Sequence, residues 1–181
     1  MPKNYRAELT GVFGDPVDGN PTGAMEEAGY AALGLDFRYI TARVTPEDFE
    51  DAMRALRALH FRGVNLTMPH KITVLPHLDE LSEAAAIIGA VNTVVVREDG
   101  TLFGENTDGK GFVEALRAAG ETLEGRRDTL FLAACAERGA RTLDGLDMLA
   151  HQGARNFTLW TGVDAPLDVL EAALAREFEE Q

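Results

Sequence analysis

Cysteine occurs once in the 181 residues, at Cys135. A single thiol excludes an internal disulfide framework and any metal site built on several cysteines, and it suits a reducing, cytoplasmic setting. In its alanine-rich surroundings Cys135 reads as a small buried apolar residue rather than a nucleophile. Basic residues are also few: 17 Lys and Arg face 30 Asp and Glu, a formal net charge of −13. A field of that sign repels phosphate backbones and anionic lipid, so neither nucleic acid nor a membrane surface is an expected partner. No stretch approaches the roughly 18 consecutive apolar residues of a membrane helix. The N-terminal run from Met1 to Arg6 has no apolar signal core behind its basic residues. G-x-G-x-x-G and the P-loop are both absent, and with them the glycine turns that cradle a pyrophosphate. Gly109-Lys110-Gly111 begins such a pattern, but Glu114 stands where the third glycine belongs. His60, His70, His77 and His151 show no zinc spacing, so no metal is expected, and each reads as a surface or interface residue.

What remains is an ordinary globular composition, 45% hydrophobic and 26% charged. A chain of this size buries roughly 70% of its unfolded surface. It is too short for two domains of typical size. Short β-rich runs at 9–14, 37–44 and 61–67 alternate with helical patterns at 22–33 and after Thr45-Pro46-Glu47-Asp48, where Thr45 offers an N-cap and Pro46 a first helical residue. A short helix or extended turn is expected over 71–78 and a helix over 79–88. Runs at 91–97 and 101–104 flank Glu98-Asp99-Gly100, a hairpin signal. Helices are then expected over 111–119, 129–138 and 143–152, a short apolar run over 157–160 with Trp160 in the core, and a terminal helix over 166–178. The alternation predicts an α/β fold with a mostly parallel sheet, one antiparallel hairpin member, helices on both faces and C-terminal helices packing back.

Sheets of this kind bind ligands at the carboxyl ends of their strands. Asp15 to Thr22, Asn65 to Lys71 and Glu105 to Asp108 all fall at such ends. A lysine and an aspartate brought together there can hold a proton and pass it to or from a substrate hydroxyl. Taken singly, Lys71 reads as a solvated lysine and Asp108 as a helix cap. Asn65, Thr67, Asn92, Thr93 and Asn106 lie beside apolar strand residues and need hydrogen-bond partners. A polyhydroxylated ligand supplies them, and turn or cap bonds would serve equally well.

Five motifs in order resemble the shikimate dehydrogenase family, and the resemblance covers nearly the whole chain. They are Gly14-Asp15-Pro16-Val17; the run from Gly63 through Asn65, Thr67 and Pro69 to Lys71; Gly89-Ala90-Val91-Asn92-Thr93; Gly104-Glu105-Asn106-Thr107-Asp108-Gly109; and the return from Arg141 through Gln152 to Gly162. The resemblance implies that Lys71 and Asp108 are the catalytic, proton-handling pair beside the hydroxyl that is oxidised. It implies that Asn65, Thr67, Asn92 and Gln152 bond ring hydroxyls, and that the loop after Gly14 grips the substrate carboxylate. That loop usually presents Ser-x-Ser-Pro, where this chain has Asn20-Pro21-Thr22-Gly23. Asn20 keeps an amide donor and Thr22 a hydroxyl, so a carboxylate can still be held. Shikimate, quinate, an amino analogue or another small hydroxy acid stand as ligands.

The family places a Rossmann-type NADP domain before its C-terminal return. Here Leu123 to Arg127 resembles the approach to that domain and Asp128 to Leu132 the exit from it, with nothing between. The expected division is a substrate-binding domain over 1–119, a junction over 120–128 and a helical return over 129–181. No cofactor is expected on this chain. The expected function is binding of a shikimate- or quinate-like hydroxy acid without unaided NADP-dependent oxidation. The alternatives are a dehydrogenase completed by a cofactor domain in trans and a non-redox proton-transfer enzyme. A separate cofactor domain or a second copy of the chain would be the protein partner.

Overall fold

The computed structural model describes residues 6–120 and 145–179. Cys135, the junction at 120–128 beyond Gly120, the helix expected over 129–138 and the approach and exit segments lie outside the described residues. Six strands form one sheet in the order β2-β1-β3-β5-β6-β4. They are β1 (Glu8–Gly14), β2 (Phe37–Arg43), β3 (Gly63–Leu66), β4 (Glu80–Leu81), β5 (Thr93–Val96) and β6 (Leu102–Glu105). β1 runs parallel to β2 and β3, and β4 parallel to β6. Only β5 runs the other way, antiparallel to both of its neighbours. The α/β sheet with one antiparallel hairpin member is therefore the observed architecture.

Successive residues of a strand point to opposite faces, and the two faces of this sheet differ chemically. Phe13, Val64, Leu66, Val94 and Leu102 pack on one side with Phe49, Met53 and Leu56 of α2 (Phe49–Ala58). The alternate residues Thr10, Tyr39, Asn65 and Thr93 bond to one another or to partners on the other side. That side is covered by α1 (Thr22–Ala32), α6 (Leu146–Thr161) and α7 (Leu167–Glu179). Helix α5 (Asp108–Ala118) packs along α6. The buried face under α1 and α6 thus carries a polar stripe, and the site grows from it. No helix among the described residues is long and apolar enough to cross a membrane.

Four expectations need correction. Helix α2 begins at Phe49, not Pro46, because Thr45 closes a turn in which the Asp48 N–H donates to its carbonyl at 3.2 Å. The helix expected over 79–88 is a short strand and then α4 (Glu83–Ile88). The N–H groups of Asp79 and Ser82 bond Leu102 O and Gly104 O, both at 2.9 Å, which draws the segment into the sheet edge before Ser82 caps the helix. Residues 143–152 and 157–160 were expected to be separate elements, yet Leu146–Thr161 is one helix, ended by Gly162 in the left-handed region at φ 73°. His70 is buried rather than at the surface: its ring stacks on Phe49 at 4.3 Å and bonds Val44 O at 2.7 Å. It opens α3 (His70–Thr73), which a 3-10 turn at Leu75–His77 follows.

Ser82 accepts the Ala85 N–H at 3.0 Å and donates to Glu105 Oε1 at 2.6 Å. Ser82→Ala is expected to cost about 1 kcal/mol, as loss of an N-cap does. Urea unfolding at neutral pH measures it, and an unchanged midpoint would contradict the capping role.

Candidate active site

The carboxyl ends of β1, β3 and β6 lie on one edge of the sheet, since the three run in the same direction. β3 delivers Thr67 and then α3 with Lys71, and β6 delivers Thr107 and then Asp108 as the first residue of α5. The antiparallel β5 begins at that edge, which brings Asn92 and Thr93 to the same place. Lys71 Nζ donates to Asp108 Oδ2 at 2.6 Å, and each side chain is about 30% exposed. Asn92 Nδ2 donates to the other carboxylate oxygen, Oδ1, at 2.9 Å. Asp108 therefore accepts at both oxygens while the pair remains open to solvent.

Asn92 is held from two sides. Its Oδ1 accepts the Thr107 backbone N–H at 2.7 Å, and its Nδ2 also donates to Thr107 Oγ1 at 2.8 Å. Asn65 Nδ2 reaches Asn92 O and Thr93 Oγ1, both at 3.3 Å, and Asn65 Oδ1 accepts from the Tyr39 hydroxyl at 2.8 Å. Gln152 Oε1 lies 3.5 Å from Asn92 Nδ2. Lys71, Asp108, Asn65, Asn92 and Gln152 thus form one connected group. Thr67 flanks it: its N–H donates to Phe13 O at 3.0 Å, and its methyl fills the space a side chain on Gly14 would need. Asn20 and Thr22 sit at the entry to α1, where Asn20 Oδ1 accepts the Thr22 N–H at 3.0 Å, and the Thr22 hydroxyl lies beside that of Tyr39, which bonds Asn65.

Two buried residues and one half-buried one in these surroundings carry no clear signal in the sequence. Asn156, one turn beyond Gln152 on α6, accepts from Thr93 Oγ1 at 2.7 Å and Thr107 Oγ1 at 2.9 Å. Tyr39 looks like an ordinary strand aromatic. Glu26, one turn beyond Thr22 on α1, looks like a solvated helix residue but is fully buried, and burial pushes its carboxyl well above the usual carboxylate range. Neither of its oxygens has a well-formed hydrogen bond, although the Tyr30 hydroxyl lies alongside. The spacing of Gln152 and Asn156, four apart on one helix face, was the only available clue to the first of these.

Glu105 illustrates the opposite balance. Burial alone would raise its carboxyl, but Lys110 Nζ at 2.6 Å, Ser82 Oγ at 2.6 Å and the Asn106 N–H at 2.8 Å outweigh that and hold it below the usual range. Among the described residues no group of three or more His, Cys, Asp or Glu is placed to hold a metal ion.

Residues 12–94 match the family model of the shikimate dehydrogenase substrate binding domain, and residues 145–175 match that of the shikimate 5'-dehydrogenase C-terminal domain. Together they account for more than half of the chain. The chain belongs to the shikimate dehydrogenase family. It is 52% identical over 118 residues to a shikimate dehydrogenase (NADP(+)) of Rubrobacter xylanophilus, a match that covers 65% of this chain and 42% of the relative. It thus spans less than half the length of that relative. A shikimate dehydrogenase of Moorella thermoacetica is 28% identical over 272 aligned positions, covering 92% of each chain. Among solved structures, Thermus thermophilus shikimate 5-dehydrogenase in complex with shikimate superposes with a TM-score of 0.87 at 27% identity, covering 95% of this chain and 99% of that one. The ligand-free 5-ketofructose reductase of a Gluconobacter strain gives 0.83 at 27% identity, with 96% and 99% covered.

NADP(+) stands in the names of the curated relatives, and among the described residues no G-x-G-x-x-G turn leads from a strand into a helix.

Proposed function

We propose that the chain binds shikimate or a related cyclic hydroxy acid at the edge where Lys71 meets Asp108, with these two residues as its catalytic, proton-handling pair. The observation that carries this reading is the arrangement around Asp108, with Lys71 Nζ 2.6 Å from one oxygen and Asn92 Nδ2 2.9 Å from the other. An ammonium held against a carboxylate beside solvent can give a proton to, or take one from, a ligand hydroxyl within reach. Asn65, Asn92 and Gln152 offer amides to further hydroxyls, with Thr67 beside them. Asn20 and Thr22 meet the carboxylate end of the ligand at the start of α1.

In this reading residues 1–119 form the substrate-binding unit, 120–128 the junction and 129–181 the helical return, and the chain does not oxidise its ligand with NADP unaided. The alignment with the Moorella relative supports that division, because 272 aligned positions laid against 181 residues leave at least 91 with no counterpart here. Completion by a cofactor domain in trans is the second reading. It is favoured by Met68 and Ile72, which flank Lys71 and are each 66% exposed.

Removing one partner of a charge-assisted hydrogen bond costs roughly 1.5–3 kcal/mol. Lys71→Met is therefore expected to weaken shikimate binding by about ten- to hundredfold in isothermal titration calorimetry. Equal affinity in this variant and the parent chain would remove the proposed pair from the ligand site. An NADP-coupled assay is expected to be silent for the chain alone and to gain rate only with an added family cofactor domain. Turnover by the chain alone would overturn the division.

A further inference from the structure

We infer that Asn156 is a positioning residue of this site, which sets the direction in which Gln152 and Asn92 present their amide groups. The inference rests on the ligand reading above only for its functional consequence. Asn156 is fully buried on α6 and touches neither Lys71 nor Asp108 through any hydrogen bond described. Its amide nevertheless joins three of the residues behind them.

Hydrogen-bond direction is what makes the link informative. A threonine hydroxyl has one proton to give and an amide oxygen has two lone pairs. Asn156 Oδ1 lies 2.7 Å from Thr93 Oγ1 and 2.9 Å from Thr107 Oγ1, so it takes both hydroxyl protons. Thr107 Oγ1 is then left as an acceptor, and Asn92 Nδ2 fills it at 2.8 Å. The Thr107 backbone N–H, which cannot reverse its role, holds Asn92 Oδ1 at 2.7 Å. Asn92 thus has one orientation, with its NH2 group toward Asp108 Oδ1. On the other side, Asn156 Nδ2 donates to Gln152 Oε1 at 3.0 Å, and one Gln152 N–H donates to Leu149 O at 3.1 Å. With its oxygen engaged, Gln152 offers the ligand its remaining N–H, so it reads a hydroxyl as an acceptor. Networks in which each member fixes the next specify one arrangement more strongly than isolated pairs do.

The test starts without ligand. In the full chain, Asn156→Leu is expected to shift the side-chain amide resonances of Gln152 and Asn92 and speed their hydrogen exchange. The amide of Asn106, which bonds Ala90 O at 3.1 Å, should stay in place. Unmoved Gln152 and Asn92 signals would overturn the inference. With shikimate, the same substitution is expected to weaken binding about tenfold, the upper range for loss of a neutral hydrogen-bond network contact. In a Gln152→Leu background the factor should fall to about threefold, because only the route through Asn92 remains. The same factor in both backgrounds would show general loosening of the fold and contradict a positioning role. If Asn156→Leu does not fold, Asn156→Ala replaces it in both arms. If the parent chain binds neither shikimate nor quinate, the ligand reading fails, while the ligand-free spectra still decide the orientation of Gln152 and Asn92.

Discussion

Gly63→Ala is expected to destabilise the protein by about 3 kcal/mol, at the upper end for forcing one methyl into a packed interior. Gly63 opens β3 directly against the Val94 carbonyl and the Trp160 indole, and a Cβ there would overlap both. The carbonyl is part of the β3–β5 register and has nowhere to go. Trp160 would have to withdraw instead, giving up its Nε1 bond to Val94 O at 3.1 Å and its buried place on α6. Asn156 and Gln152 lie one and two turns earlier on that helix, so the amide network should loosen with it. Denaturant unfolding measures the cost, and a change below about 1 kcal/mol would mean that the sheet yields where the packing says it cannot.

Glu26→Met is expected to stabilise the protein at neutral pH by about 1–3 kcal/mol, the usual cost of a buried polar group without a good partner. The sign follows from proton binding. An unfolded glutamate titrates near 4.3, whereas burial raises the folded Glu26 well above that. Below the unfolded value both states are protonated and the residue imposes no ionisation penalty. As pH rises past it, the unfolded state releases the proton while the folded state keeps it, and stability falls until the folded group ionises too. Methionine fills a similar volume and has no proton to lose. Comparing unfolding free energies at pH 5 and pH 8 should therefore give a smaller loss with rising pH in the variant than in the parent chain. Equal slopes would mean that Glu26 has a partner in solution.

The parts of the fold that follow simple periods were readable in advance. β1, β2, β3 and the β5–β6 hairpin follow from apolar runs bounded by Gly-Asp-Pro, Gly34 and Asp99-Gly100. The convergence of Asn65, Lys71, Asn92 and Asp108 follows from the rule that ligands gather at strand carboxyl ends. The reading failed where polar side chains face inward. Gln152 and Asn156 interrupt the apolar period of α6, which made one helix look like a helix and a separate short run. Glu26 and His70 look solvated in sequence because nothing local reveals that α1 is sealed by α6 and α7, or that Phe49 covers the His70 ring. Tertiary contacts of this kind have no signature in the neighbouring residues, so the amide network behind Asp108 appears only once the sheet and α6 are in place.

If a shikimate-like ligand occupies the edge between Lys71 and Asp108, the amides that line that edge should respond to it. Titrating shikimate, and then quinate, into the isotopically labelled chain and following side-chain amide resonances tests it most directly. Saturable shifts are expected at Asn65, Asn92 and Gln152 with at least one of the two ligands, and Lys71→Met should need about ten- to hundredfold more ligand to reach them. Resonances at those three residues that stay fixed up to millimolar concentrations of both ligands would contradict it.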